Sequence, residues 1–184
     1  MRSVIKDVLN FLAKVIGMLF YDRKYLQGYQ FTREGNGWRY VFRGIFYQKI
    51  LRINSHVLWT VSPLANITCA ENIRFSPDDL QNFWASGVYL SAGVNSRIII
   101  GKGTIITPNV GIIAKNHKYD NLKEYIDKEV IIGCNCWVGM NSVILPGVIL
   151  GEHTIVGAGS VVTESFPEGN CLIAGNPARM IKKI

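Results

Sequence analysis

From Val61 onward the chain sets an aliphatic residue at every sixth position. Val61, Ile67 and Ile73 form one run, and Val88, Val94, Ile100, Ile106 and Ile112 a second. Ile132, Val138, Ile144, Leu150, Val156 and Val162 form a third. A period of six fits neither the 3.6 of a helix nor the 2 of a half-buried strand. It fits a stack in which each hexad makes one short strand and one turn. In the third run the residue after the aliphatic is Gly133, Gly139, Leu145, Gly151, Gly157 or Thr163. The fourth residue after it is Cys136, Ser142, Val148, Thr154, Ser160 or Phe166, mostly small. Large aliphatics fill an interior, small residues fit near the bends, and stacked rungs bury a core that no single repeat could bury. The pattern predicts an all-β solenoid.

Two breaks interrupt the repeat. One spans Asp78 to Gly87, where SPDD also reads as a turn or helix start. The other spans Lys118 to Ile131 and begins directly after His117. Long excursions from a solenoid are where function concentrates. Ahead of the repeats, residues 3–20 read as an amphipathic helix. Val4, Val8, Phe11, Leu12, Val15 and Leu19 lie on one face, with Ser3, Asp7, Asn10, Lys14 and Gly17 opposite. Arg33–Gly37 reads as a loop, and Trp38–Ile53 as a second helical or extended segment. The chain thus divides into a basic helical arm (1–60), a β-helix with an inserted loop at 118–131 (61–167) and a C-terminal cap (168–184).

Charge sharpens that division. Residues 1–60 carry ten Lys and Arg against three Asp and Glu, so the whole net charge of +7 lies there. A basic arm points to an anionic partner or to a solvated surface. Its apolar face is expected to pack on the base of the solenoid or on a neighbouring subunit, capping an end that would otherwise expose apolar rungs. Arg23, Lys24, Arg39, Arg43, Lys49 and Arg52 add the possibility of peripheral contact with an anionic membrane. The stretch Val8–Phe20 is too short and too polar to span a bilayer, and no signal peptide is legible. The four cysteines, at 69, 134, 136 and 171, form no CxxC pair and suit a reduced, cytoplasmic setting, with the inner face of the membrane as the alternative location.

Residues 107–179 carry the segments TPNVGIIAKNHKYD, IGCNCWVGMNSVILPGVILG, IVGAGSVVTESFPEG and AGNPAR. With them the chain resembles the hexapeptide-repeat acyltransferases, nearest the branch acting on galactosides, maltose, antibiotics and surface polysaccharides. The resemblance implies a left-handed parallel β-helix, a homotrimer, and acyl transfer from acetyl-CoA as co-substrate to a sugar or polysaccharide hydroxyl. It places His117 at the position of the family's catalytic histidine. Imidazole suits a general base near neutral pH, where the acceptor hydroxyl must lose its proton as it attacks. Asp120 and Glu124 are loop candidates for orienting it; a backbone carbonyl is the other possibility. Asn109 matches an acceptor-binding asparagine, though a turn role after Pro108 also suits it. Asp78 and Asp79 are weaker acceptor candidates.

The cofactor contacts implied by the resemblance are Trp137 and the backbone at Met140 beside the pantetheine arm, and Ala158 and Thr163 along pantetheine and adenine. Arg179 and Lys182 lie near the 3′-phosphate. Glu164 departs from the family, where lysine is frequent, and a carboxylate there repels phosphate.

Other readings are weaker. A zinc enzyme on the same prism needs three clustered histidines, and His56, His117 and His153 have the wrong spacing. No metal and no nucleic acid is expected. An antibiotic O-acetyltransferase or an amino-sugar N-acetyltransferase remains an alternative, and a non-enzymatic scaffold a more distant one. No GxGxxG marks a nucleotide-binding domain.

Overall fold

The computed structural model describes residues 2–32 and 34–184, with the backbone alone at residues 2 and 3. The expected helix position of the Ser3 side chain and the loop start at Arg33 lie outside the described residues. Helix α1 spans Arg2–Gly17 and α2 spans Gly37–Gly44, continuing as a π-helical segment, Ile45–Ile50. The strands follow as β1 (Asn66–Thr68), β2 (Ile73–Arg74), β3 (Tyr89–Ser91), β4 (Ile98–Ile100), β5 (Ile105–Ile106) and β6 (Gly111–Ile113). Next come β7 (Lys115–His117), β8 (Tyr125–Asp127), β9 (Val130–Ile132), β10 (Trp137–Val138), β11 (Val143–Ile144) and β12 (Ile149–Leu150). The last are β13 (Thr154–Val156), β14 (Val161–Val162), β15 (Cys171–Gly175) and β16 (Ala178–Lys183).

Three stacked sheets make the faces of a prism. The first runs β1-β3-β6-β11-β14, the second β2-β4-β9-β12, and the third β5-β10-β13-β15-β16. Pairing within them is parallel until β16 doubles back antiparallel on β15. Ile112, Ile144 and Val162 stack in register on the first face, each buried. Small residues at the bends are buried too and tie down their own turn or that of the next rung. Ser142 Oγ donates to Gly157 O at 3.0 Å, and Thr154 Oγ1 to Gly151 O at 2.7 Å.

In the second run Ile100, Ile106 and Ile112 stack on Ile132, Val138 and Ile144, but its first two positions are out of phase with the rungs. Leu90, not Val88, stacks on Ile67 and Ile112, and Val94, expected inside, is 79% exposed. Twenty-two residues separate Leu90 from Ile112, against eighteen from Ile144 to Val162. The surplus forms a wider corner at Gly93–Arg97. There the Asp127 carboxylate accepts from the Asn95 N–H at 2.8 Å.

The first break is a 3₁₀ segment, Pro77–Trp84, which stands where the first coil lacks a third-face strand. Asn82 completes the edge of β5 by donating to Thr104 O and accepting from Ile106 N–H. Asp78 ties the arm to this segment, accepting from the Tyr29 N–H at 2.7 Å and pairing with Lys102 at 2.8 Å. Lys102 and the Tyr29 N–H hold the Asp78 carboxyl below its usual range. That depression adds stability above the ordinary aspartate pKa, and it is lost as acid protonates the folded carboxylate.

The base of the prism is capped, but not by the apolar face of α1. Tyr25 and Trp59 of the arm close on Phe75 and Phe83, with ring centroids 4.2–5.2 Å apart. Helix α1 instead packs through Asn10, Ala13 and Gly17, its small side. Asn10 bridges Thr32 O and the Trp38 N–H, and Gly17 lies against Leu26 and Val41. Val4, Val8, Phe11, Leu12, Val15 and Leu19 all face outward, between 42% and 78% exposed.

Candidate active site

The second break begins earlier than expected, at Lys115, as an antiparallel hairpin of β7 and β8 that leaves the prism after the first face. Its register sets His117 opposite Tyr125, with ring centroids 4.5 Å apart. The His117 Nδ1 lies 2.5 Å from Leu122 O. A carbonyl only accepts, so Nδ1 carries a proton, and in the neutral ring the lone pair is on Nε2. The ring is exposed. Glu124, one loop candidate for orienting it, turns instead to Lys118 and Asn121, which hold its carboxyl below the usual range. Asp120 makes no hydrogen bond or ion pair with the ring among the described residues. The orienting group is therefore the backbone carbonyl, and Tyr125 packs the ring from the opposite strand. A backbone carbonyl was the second alternative offered by the sequence; Leu122 as its source and Tyr125 were not singled out.

On the other edge of the first face, where the third face turns into it, lies an apolar groove of about 430 Å³. Pro108, Trp137, Met140, Gly157, Ala158 and Leu172 are among its walls. Trp137 and Met140 are each about half exposed. Three residues predicted to share a site are thus brought together. At the turn, the Gly139 N–H donates to Val156 O and the Asn141 N–H to Pro108 O. The Met140 N–H between them meets no protein acceptor among the described residues.

Asn109 stands at this edge in the left-handed conformation, φ 59°. Asn141 and Gly159 hold the same place one and two rungs on, also with positive φ. Its Nδ2 donates to Asn141 Oδ1 at 3.1 Å, and its Oδ1 packs where a side chain on Gly87 would sit. The turn role is filled, and the side chain is still exposed.

Thr163 lies outside the groove, beyond β14. Arg179 and Lys182 are on β16, exposed, with Arg179 in register with Ala174, which packs beside Gly157 of the groove. Arg179 is not free. It pairs with Glu164 at 2.7 Å. His56 is structural, its Nε2 2.8 Å from Ile67 O, and His153 is a turn residue at φ 53°. Asp79 is buried, accepts from the Gly103 N–H and has its carboxyl pushed up by desolvation, so it supports the fold rather than a cleft. Among the described residues, no group of three or more His, Cys, Asp and Glu side chains is placed to hold a metal ion. Nor is any helix among them long and apolar enough to cross a membrane.

Known proteins share this architecture. Residues 129–164 match the family model described as bacterial transferase hexapeptide, six repeats. The chain is 35% identical over 128 residues to the galactoside O-acetyltransferase of Escherichia coli strain K12, covering 67% of this chain and 60% of that protein. A hexapeptide-repeat-containing acetyltransferase of Vibrio cholerae O1 biovar eltor, solved with acetyl coenzyme A, superposes with a TM-score of 0.58 at 27% identity. That match covers 67% of this chain and 66% of the other. A galactoside acetyltransferase in complex with coenzyme A gives a TM-score of 0.56 at 32% identity, over 68% and 62%. The chain thus spans less than two thirds of the length of each of these relatives. The period of six, the three stacked parallel faces and these likenesses agree: residues 129–164 carry the bacterial transferase hexapeptide repeat, and the chain is similar to hexapeptide-repeat acetyltransferases.

Proposed function

We propose that the chain is an acetyl-CoA-dependent O-acetyltransferase acting on a sugar or polysaccharide hydroxyl, of the capsule or lipopolysaccharide kind, with His117 as general base. The observation that carries this reading is the Leu122 carbonyl on Nδ1, which leaves Nε2 to accept a proton. In the reaction the acceptor O–H gives its proton to Nε2 as its oxygen attacks the thioester carbonyl carbon. The carbon–sulfur bond then breaks, and the thiolate leaves with that proton. The apolar groove suits a pantetheine arm, with Trp137 along it and Ala158 at its rim. The unclaimed Met140 N–H is available to the developing oxyanion. Asn109 at the groove's edge would contact the acceptor. Thr163, Arg179 and Lys182 would meet the adenosine and 3′-phosphate end. The coil is taken as left-handed, as in the family.

His117 and the groove lie on opposite edges of the first face. We therefore read the working unit as a homotrimer, in which one copy's hairpin meets its neighbour's groove. The outward face of α1 we assign to the surface of an anionic membrane. Beside it Lys14 and Arg23 line a hollow of about 250 Å³ with Met18 and Leu26. Two copies of so basic an arm would repel one another across that face, whereas anionic headgroups would not.

The decisive experiment is thiol release from acetyl-CoA with a panel of sugars, comparing wild type and His117→Ala. Loss of the base should lower kcat by about 10²–10⁴, with oligomeric state and coenzyme A binding unchanged. Near-normal kcat in that variant would remove His117 from the mechanism.

A further inference from the structure

A second cleft, of about 900 Å³, opens where the arm meets the base of the prism. Its chemistry is unlike that of the apolar groove. Arg39 and Arg43 of α2 and Tyr47 of the π-helical segment line it together with Gln81, Trp84 and Ser86. The Arg43 guanidinium lies 5.0 Å from the centre of the Trp84 ring, and Tyr40 stacks on the same indole at 5.2 Å and 16°. Trp84 is held by its Nε1, which donates to Thr60 Oγ1 at 3.2 Å. Burial pushes the Tyr40 phenol up while Arg39 and Arg43 pull it the other way, so both guanidinium groups bear on the cleft.

Neither arginine has a carboxylate partner among the described residues. Elsewhere Lys24, Arg97, Lys102, Lys118 and Arg179 each have one. Arg39 and Arg43 are four residues apart on one helix, which places them as neighbours that repel when no anion lies between them. A guanidinium fork fits two oxygens of a phosphate or carboxylate. Flanking aromatic rings with polar tips suit a carbohydrate, which presents apolar faces and a hydroxyl rim.

The cleft also adjoins the proposed chemistry. Ser86 O, on its rim, accepts the Asn109 N–H at 2.9 Å, and the preceding residue, Pro108, is a wall of the apolar groove. One hydrogen bond joins the two rims.

We propose that this cleft is an acceptor subsite for an acidic sugar. Arg39 and Arg43 bind its phosphate or carboxylate oxygens, the aromatic wall receives a ring, and a hydroxyl is presented past Ser86 and Asn109 to the groove. This deepens the acetyltransferase reading and rests on it.

Calorimetry on the intact protein tests it without turnover, using glucose, glucose 1-phosphate, glucuronate and inorganic phosphate as probes. At least one acidic sugar should bind about tenfold or more tighter than glucose, the effect of one charge-assisted contact. Arg39→Gln with Arg43→Gln should abolish that preference. Arg39→Gln alone, at an exposed residue, should weaken it, and guards against loss of packing around Trp84. Whichever acid binds tighter identifies the group the acceptor carries. Equal binding of glucose and both acids, a preference that survives the double variant, or inorganic phosphate binding as tightly as glucose 1-phosphate would overturn the proposal. Acetyl-CoA titrated into the same preparations separates the two ideas. Its binding without sugar discrimination sinks the cleft and spares the transferase, and the converse sinks the transferase.

Discussion

At His117 the partner on Nδ1 decides which nitrogen can act. A carboxylate there would both orient the ring and stabilise its protonated form; the Leu122 carbonyl orients it and adds no full charge. The same distinction between position and charge applies at Glu164. It neutralises Arg179, a residue assigned to the cofactor's phosphate, through an exposed ion pair. Such pairs are worth about 0.2–1 kcal/mol. Glu164→Gln should therefore lower KM for acetyl-CoA by roughly 1.5- to 5-fold, with kcat unchanged. A rise in KM would mean that the carboxylate positions Arg179 rather than competing for it. His117 was singled out as a candidate from its place before the long break. Leu122 was not, because a carbonyl oxygen has no signature in the side-chain alphabet, and its approach depends on a hairpin that fell in a stretch read only as a loop.

Among the elements, the regular rungs were the most legible, since each hexad repeats one packing problem. The frame failed at Val94 because a corner can hold extra residues without disturbing the stack, and period counting cannot see a bend that lengthens. Helix α1 shows the opposite limit. Its amphipathic pattern identified the helix, but the pattern marks which face is apolar and not what covers it. Only its small side meets the protein. At about 24 Å long, with Lys6, Asp7 and Lys14 in its sequence, it suits a position in the plane of an interface. The protein should sediment with anionic vesicles at low salt and less so at high salt, and Phe11→Glu with Leu12→Glu should release it. Sedimentation indifferent to lipid charge and salt would assign that face to a protein partner instead.

For the whole molecule, the two edges of the first face keep the base and the groove apart within one chain, so activity should require two copies for each site. Copies carrying His117→Ala and copies carrying Ala158→Trp, which obstructs the groove's rim, should each be inactive alone. Unfolded together and refolded as mixed assemblies, they should regain roughly a quarter of the wild-type rate, the random share of sites with both parts intact. No recovery in demonstrably mixed trimers would confine each site to one chain. The cleft at Arg39 and Arg43 was not legible in advance. Those arginines were read as part of a basic surface, and their meeting with Trp84 spans more than forty residues of chain.

The reversal of β16 on β15 bears on something other than catalysis. A stack of parallel rungs has no natural end, since its last strand offers the next chain the same open row of backbone groups that it satisfied below. Such an edge is a seed for filaments. By turning back antiparallel, and by placing Lys182 and Lys183 on the outermost strand, the chain presents a row whose spacing and charge do not match the first rung of another copy. At the opposite end the 3₁₀ segment and the aromatic plug of Tyr25 and Trp59 do the same. Both ends of this prism are thereby poor templates for the rungs of another copy.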